Sequence, residues 1–429
     1  MRLRFLCSFL VGVALFLSGC GSSGSGGNHD GNSTTVTFTF DTAGPMPSVV
    51  ATRTGSGAFT PATLSSNVLT VSVPAGTAEF AVAYLCPTYP YSYYQGGIQY
   101  GYNSQYLVEA STADWTSYTA VCEAVNLGSF SVDVNATGTS GAQGVLVETG
   151  NHSRSRYYYS DQSLSESSSY LAPVGSDTSF AEAYSGSVSS DSFYALAVKR
   201  FDAPTVPGSL NRGNVVTLGP ADLTSGAAIT YQNLPAGFTP GNETYFDPSA
   251  GGTVRLAFSS GTALVSYPQL PAAAVESGDT YELSAYAWND GSGVGEIIRN
   301  QGGAAAVQYP TPWSYSGPAA AALPTFDYSS YSGFTDAAKV TRDGNISWSP
   351  SSQVIDDYHI AATANAMNGS NSLTMPDLSA AGGFLAGPAS GTSVTWYAEI
   401  TENSAGALVA MSSGATKYWV ENAGSLIVP

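Results

Sequence analysis

Charge is what this sequence has least of. Only 10% of its 429 residues are Asp, Glu, Lys or Arg, and lysine occurs three times, at Lys199, Lys339 and Lys417. Histidine also occurs three times and cysteine four times. No apolar run reaches the ~18 residues of a membrane-spanning helix, which excludes a polytopic helical membrane protein. No HExxH, GxSxG, SxxK or P-loop spacing occurs, so zinc, serine and phosphate chemistries have no local signature. Helical periodicity is missing as well. What is abundant is glycine, 47 positions, and tyrosine, 27, within a 43% hydrophobic composition that excludes a disordered chain. Gly, Ser, Thr and Tyr favour turns and strands, and the length suits three or four units of ~100 residues.

The amino terminus carries an address. Arg2 and Arg4 precede an apolar stretch from Phe5 to Leu17, a basic start and short apolar core that describe a secretory signal. It ends in Leu17-Ser18-Gly19-Cys20, which resembles the lipobox of bacterial lipoprotein signal peptides. That resemblance implies removal of residues 1–19, a diacylglycerol thioether on Cys20 and acylation of the new amino terminus. Gly21 at the next position implies, by the same resemblance, the outer rather than the inner membrane. Residues 20–35 then form a Gly/Ser-rich tether containing His29, with an r.m.s. reach of about 20 Å. Loss of residues 1–19 removes two arginines, leaving 11 bases against 31 acids, a net charge of −20. Such a chain lacks the basic footprint of a nucleic-acid binder and would meet the membrane only through its lipid.

Cys7 leaves with the signal and Cys20 is the lipidation site, so Cys86 and Cys122 remain. One pair in an exported protein predicts a disulfide. Phe80, Val82, Tyr84 and Cys86 would share one strand face, as would Tyr118, Ala120 and Cys122. Alternation recurs at Val36, Phe38 and Phe40, at Leu69, Val71 and Val73, and at Val254, Leu256 and Phe258.

A weak repeat organises these strands. Gly76, Gly175, Gly278 and Gly391 each lead into an aromatic strand and stand 99, 103 and 113 residues apart. The expected architecture is all-β, with tandem sandwiches at 36–128, 129–222, 223–325 and 326–429. In the third unit Leu270-Pro271 followed by Gly278-Asp279-Thr280-Tyr281 resembles the penultimate strand of a fibronectin type III domain. In the fourth, Asn345-Ile346-Ser347-Trp348, Tyr358-His359-Ile360 and Met375-Pro376-Asp377-Leu378 resemble that family's core strands, with Trp396 in the core tyrosine slot. Leu378 lies 18 residues before Trp396, a departure from the family spacing. The resemblance implies immunoglobulin-like or fibronectin-like sandwiches and no particular activity.

Chemistry is sparse. His152, in a polar turn, and His359, on a strand face, read as solvent-facing. Asp356-Asp357 and Glu276, Asp279 and Glu282 are the densest acids, but neighbours on a strand point to opposite faces, and solvated edges are the plain reading. No DxDxDG loop occurs, so neither a metal site nor a cofactor is assigned. The candidate binding surface is a tyrosine-rich stretch, expected to be largely loop: Tyr89, Tyr91, Tyr93, Tyr94, Tyr100 and Tyr102, with Tyr106 beyond. Tyrosine gives large amphipathic contact at low entropic cost, which suits glycan or protein ligands. The sequence therefore points to a lipid-anchored envelope or surface protein with a non-enzymatic binding or structural role. The alternative is a polysaccharide-acting hydrolase or its accessory subunit.

Overall fold

The computed structural model describes residues 33–429 except 43–44, 88, 92–99, 123–126, 137, 152–153, 162–164, 174–177, 187–191, 203–210 and 250–252. Residues 1–32 with Cys20, and Tyr93, Tyr94 and His152, lie outside the described residues.

The chain forms four strand sets. The first holds β1 (Thr34–Phe40), β2 (Val49–Thr54), β3 (Thr60–Pro61), β4 (Val68–Val73), β5 (Glu79–Leu85), β6 (Tyr89–Tyr91), β7 (Tyr100–Ser111) and β8 (Ser117–Ala120). The second holds β9 (Leu127–Ala136), β10 (Gly144–Asn151), β11 (Arg154–Asp161), β12 (Ser165–Pro173), β13 (Thr178–Gly186), β14 (Ser192–Asp202) and β15 (Asn211–Leu218). The third holds β16 (Ser225–Gln232), β17 (Thr239–Asp247), β18 (Val254–Ser260), β19 (Ser266–Gln269), β20 (Thr280–Asn289), β21 (Ser292–Asn300) and β22 (Ala305–Gln308). The fourth holds β23 (Thr325–Asp327), β24 (Val340–Ser351), β25 (Val354–Thr363), β26 (Ser372–Thr374), β27 (Ser393–Asn403) and β28 (Thr416–Ile427).

One strand plan serves all four. The first strand of each set pairs antiparallel with the fourth, and in three sets also parallel with the last, making the small sheets β4-β1-β8, β12-β9-β15, β19-β16-β22 and the pair β23-β26. The remaining strands do not form four separate sheets. They join into one 17-stranded sheet. Its hydrogen-bonded path runs β3-β2-β5-β7, then β25-β24-β27-β28, then β21-β20-β17-β18, then β14-β13-β10-β11, with β6 beside β7. The units therefore follow the order first, fourth, third, second in space. Tandem sandwiches form, with a strand order of their own. An immunoglobulin domain pairs its first two strands in one sheet, whereas here the first and second strands lie in opposite sheets.

Length forces this sheet to curl. Laid flat, the eight strands of units three and four would hold the first and second units about 38 Å apart, at ~4.8 Å per strand. Residues 121–126 alone join β8 to β9 and reach at most about 25 Å. The right-handed twist of strands supplies the coiling.

Alternation decides what is buried. Val36, Phe38 and Phe40, beside Leu69, Val71 and Val73 of the same small sheet, pack with Phe80, Val82 and Tyr84 inside the first sandwich. Units three and four share a single core around Phe246, Leu283, Trp313, Ile346, Tyr358 and Trp396. In the third unit Tyr281 is buried and its hydroxyl accepts the Leu270 N–H at 2.9 Å, tying the strand to the preceding Leu-Pro turn. The outer faces of the two end units, Ala51, Ala81, Ala83 and Leu107 in one and Leu146, Phe180 and Val198 in the other, also join this core. Polar ties accompany both junctions. Asp114 accepts from Thr363 and Asn365 at 2.5 Å, Glu148 accepts the Arg255 N–H at 2.6 Å, and Arg200 pairs with Asp279 at 3.0 Å.

Cys86 and Cys122 are bonded, with Cα atoms 5.4 Å apart, and close a loop across 36 residues. In the chain-entropy picture such a loop stabilises by about 3–4 kcal/mol. A Cys86→Ser, Cys122→Ser variant is expected to unfold at lower urea concentration than wild type, and reductant should shift wild type by the same amount and leave the variant unmoved.

Candidate functional site

In the sheet shared by units three and four one face enters the core; on the other, Trp288 is exposed, Tyr286, Trp419, Glu399 and Asp343 are part-buried, and Thr341, Thr401 and Glu421 are buried. On strands β20, β21, β28, β27 and β24, the side chains of Ala285, Ala287, Val294, Val420, Ala398, Ile400 and Ile346 enter the core. Their sequence neighbours must then emerge on the other face. Register places them in rows. One row runs Trp288, Gly293, Glu421, Glu399, Asp343, and the next runs Tyr286, Gly295, Trp419, Thr401, Thr341.

The aromatic end of this shelf rests on glycine. A Cβ on Gly295 would meet the Trp419 ring at 2.4 Å, and one on Gly241 would meet the Tyr286 ring at 2.3 Å, so both rings lie down on bare backbone. Trp288 stands next to them with 42% of its surface exposed. The Trp288 and Trp419 ring centroids are 6.0 Å apart at 54°, and those of Tyr286 and Trp288 are 6.2 Å apart at 69°. The exposed Trp288 ring and the part-exposed Tyr286 and Trp419 rings offer apolar area of the kind on which a sugar ring stacks.

Beside the rings lies the acid row. Asp343, Glu399 and Glu421 sit directly opposite one another on β24, β27 and β28, where like charges destabilise a sheet. Tyr397 relieves part of this, its hydroxyl hydrogen-bonding both Glu399 and Glu421. A phenol carries one proton, so one of the two carboxyls must hold another for both bonds to form. Burial and the charge of Glu399 push Glu421 up to about 8, and burial with Glu399 pushes Asp343 up to about 7. Lys417 reaches Glu399 at 3.7 Å, a half-exposed pair that contributes little. Glu421 turns its other oxygen, Oε1, toward Gly293 and the Trp419 ring, where it is buried and unpartnered.

The residues singled out from sequence are distributed elsewhere. Tyr89 and Tyr91 pair with Tyr102 and Tyr100 across β6 and β7, so this part of the tyrosine-rich stretch is strand rather than loop. Pairing of β7 with both β5 and β25 overrides its turn-forming composition. Tyr102 is half-buried on β7, and the side chains of Tyr89, Tyr91 and Tyr100 lie outside the described residues. Tyr106 stacks between Tyr84 and His359, with centroids 5.0 and 4.9 Å away. His359 is thus not a solvent-facing histidine. It is packed between Tyr106 and Asn345, and burial lowers it to about 4. Of the densest acids Glu276 is exposed, as expected, and reaches Arg200 at 3.1 Å, but the others are not solvated edges. Asp356 accepts from Asn103 at 2.7 Å, Asp357 bonds Ser347, and Asp279 accepts the N–H groups of Ser249 and Glu276 while pairing with Arg200. Glu282 shares Arg299 with Asp247, at 2.8 and 2.7 Å. All of these act in structure. Trp288, Trp419, Glu399 and Glu421 escaped the sequence reading because strands of two different units assemble them. The alternation Tyr286-Ala287-Trp288 was visible, with large rings on the face opposite the small core residues.

Neither a known protein family nor a curated protein matches this sequence. Among solved structures, a leucine-rich repeat protein from Bacteroides thetaiotaomicron is similar at 12% identity and a TM-score of 0.15, over 44% of this chain and 26% of that one. This chain therefore spans about a quarter of that protein. A Ca2+-stabilised adhesin with which an Antarctic bacterium binds ice is similar at 11% identity and a TM-score of 0.12, over 92% of this chain and 99% of that one. At these scores neither likeness bears on function.

The buried acids set a pH dependence. Asp343, Glu421 and Glu148, the last also raised to about 8 by burial, hold protons more tightly folded than unfolded. Their contribution is complete below the ordinary carboxyl range and is lost as pH rises through 7 to 8. His359, lowered to about 4, acts oppositely and costs stability as pH falls below the usual histidine value. The melting temperature should peak in mildly acidic solution and drop by several degrees on moving to mildly alkaline solution. Asp343→Asn with Glu421→Gln should flatten the alkaline side of a calorimetric pH series.

Proposed function

We propose that this protein is a lipid-anchored component of the bacterial envelope that binds glycan, without hydrolysing it, on the aromatic face of units three and four. The observation that carries the reading is the trio of the exposed Trp288 and the part-exposed Tyr286 and Trp419, with two of its rings laid over glycine beside carboxyl groups. Aromatic rings supply apolar stacking area, and carboxylate, amide and hydroxyl groups alongside supply the directional bonds that sugars need. The tyrosines of β6 and β7 would form a second, separate contact surface. The tether following Cys20 would leave the folded units free to meet a wall or surface polymer.

Removing an anchor ring from a small interface costs about 2 kcal/mol or more, roughly a thirtyfold loss in affinity. Trp288→Ala and Trp419→Ala should abolish retention of the mature chain on a panel of immobilised polysaccharides while moving the melting temperature little. Retention unchanged in both variants would remove this face from consideration. Hydrolysis is the second reading. It draws on Glu399 and Glu421, whose shared phenol keeps one oxygen of each within about 5.5 Å, the separation used by retaining glycosidases. Release of reducing ends by wild type and not by Glu399→Gln would favour it.

The anchor is tested separately. Mass spectrometry of protein purified from membranes should show a tri- or diacylated Cys20 as the first residue, and a Cys20→Ser variant should appear in the soluble fraction.

A further inference from the structure

Short length, proline and charge keep sheet edges from pairing with other chains. Of the strands that end a sheet among the described residues, β3, β6, β12 and β19 hold proline and β11 and β15 hold arginine. β8, β22, β23 and β26 run only three or four residues. β4 is the exception. Val68–Val73 reads VLTVSV, six residues with no proline and no charge, and its register against β1 never shifts.

The ladder fixes which of its backbone groups are free. The Phe40 N–H donates to the Asn67 carbonyl at 2.8 Å, so Asn67, Leu69, Val71 and Val73 turn their backbone groups toward β1. Val68, Thr70 and Ser72 then turn theirs outward. Val68 closes on Ser65, with bonds of 2.8 and 3.1 Å, but among the described residues nothing bonds the N–H and C=O of Thr70 and Ser72. Both residues are exposed, and a cleft of about 310 Å3 lies beside them, between β4 and the β2–β3 hairpin, so this edge is left uncovered.

The free groups are self-complementary. Two copies laid antiparallel about a twofold axis at Val71 bring Thr70 of each opposite Ser72 of the other, and each such pair exchanges both N–H···O=C bonds. The Thr and Ser hydroxyls meet on the outer face, and Val71 meets its own copy on the inner face. The outer row Ser117, Thr37, Thr70 is uncharged, so nothing in it holds two copies of this acidic chain, with its net charge of −18, apart. We propose that β4 is a dimerisation edge, on which a second copy of this chain pairs antiparallel and joins the two β4-β1-β8 sheets into one. The edge belongs to the first unit, away from the rings of units three and four, so the inference does not rest on glycan binding.

Sedimentation equilibrium of the mature chain carrying Cys20→Ser, which removes lipid-driven association, should show a monomer–dimer equilibrium across the micromolar range. Thr70→Lys with Ser72→Lys sets Lys opposite Lys on both sides of the axis and should weaken the dimer at least about tenfold. The melting temperature of that variant should match wild type, since both side chains face solvent. Thr70→Lys with Ser72→Glu places opposite charges across the same register and should restore the dimer; it also controls for any loss of folding caused by bulk at these positions. A monomer at every concentration overturns the proposal. So does a dimer that survives the two lysines, because the contact is then elsewhere. A Lys–Glu chain that folds and dimerises no better than the Lys–Lys chain overturns it as well, because the pairing is then not in this register.

Discussion

A strand edge with unpaired N–H and C=O groups is an invitation to aggregate, and this protein meets that constraint by pairing its own units edge to edge. Three ladders do so: β7 with β25, β28 with β21, and β18 with β14. Each would otherwise be an exposed edge of a small sandwich. Because the ladders fuse four sheets into one, units three and four share a core and the outer faces of the end units are drawn into it, while the first and second units keep interiors of their own.

The candidate face is a product of one of those ladders. Pairing Gly295 with Trp419 and Gly293 with Glu421 brings residues more than 120 positions apart into contact on one surface. Neither unit alone carries the site. The third contributes Tyr286, Trp288 and the glycines, and the fourth contributes Trp419 and the acid row. The repulsion among those acids is relieved within the fold, by the Tyr397 hydroxyl and by protons that burial keeps on Glu421 and Asp343.

How much of this was readable from residues alone follows the range of the interactions concerned. Alternation at Val36, Phe38 and Phe40 reports directly on a half-buried strand, and the same holds for Phe80, Val82 and Tyr84. The bond between Cys86 and Cys122 was expected from the secretory-signal reading of the amino terminus, which leaves one pair of cysteines. By contrast, the tyrosine-rich text between Cys86 and Tyr106 reads as loop because Pro87, Pro90 and Gly96-Gly97 break it, and β25 pairs with its Gly101–Tyr106 part all the same. His359 and Asp279 looked solvated for a similar reason: their partners, Tyr106 and Arg200, belong to other units.

The scarcity of charge, the surplus of glycine and tyrosine and the two-residue alternation were enough to determine an all-β chain of sandwich-like pieces, since those are properties of single strands and turns. Which edge joins which, and so which face stays open, was decided by tertiary structure. Edge pairing is a choice among surfaces of similar composition, settled by how whole strands and sheets fit together. Short-range pattern carries no record of that choice, and the face where a ligand would sit exists only once it has been made.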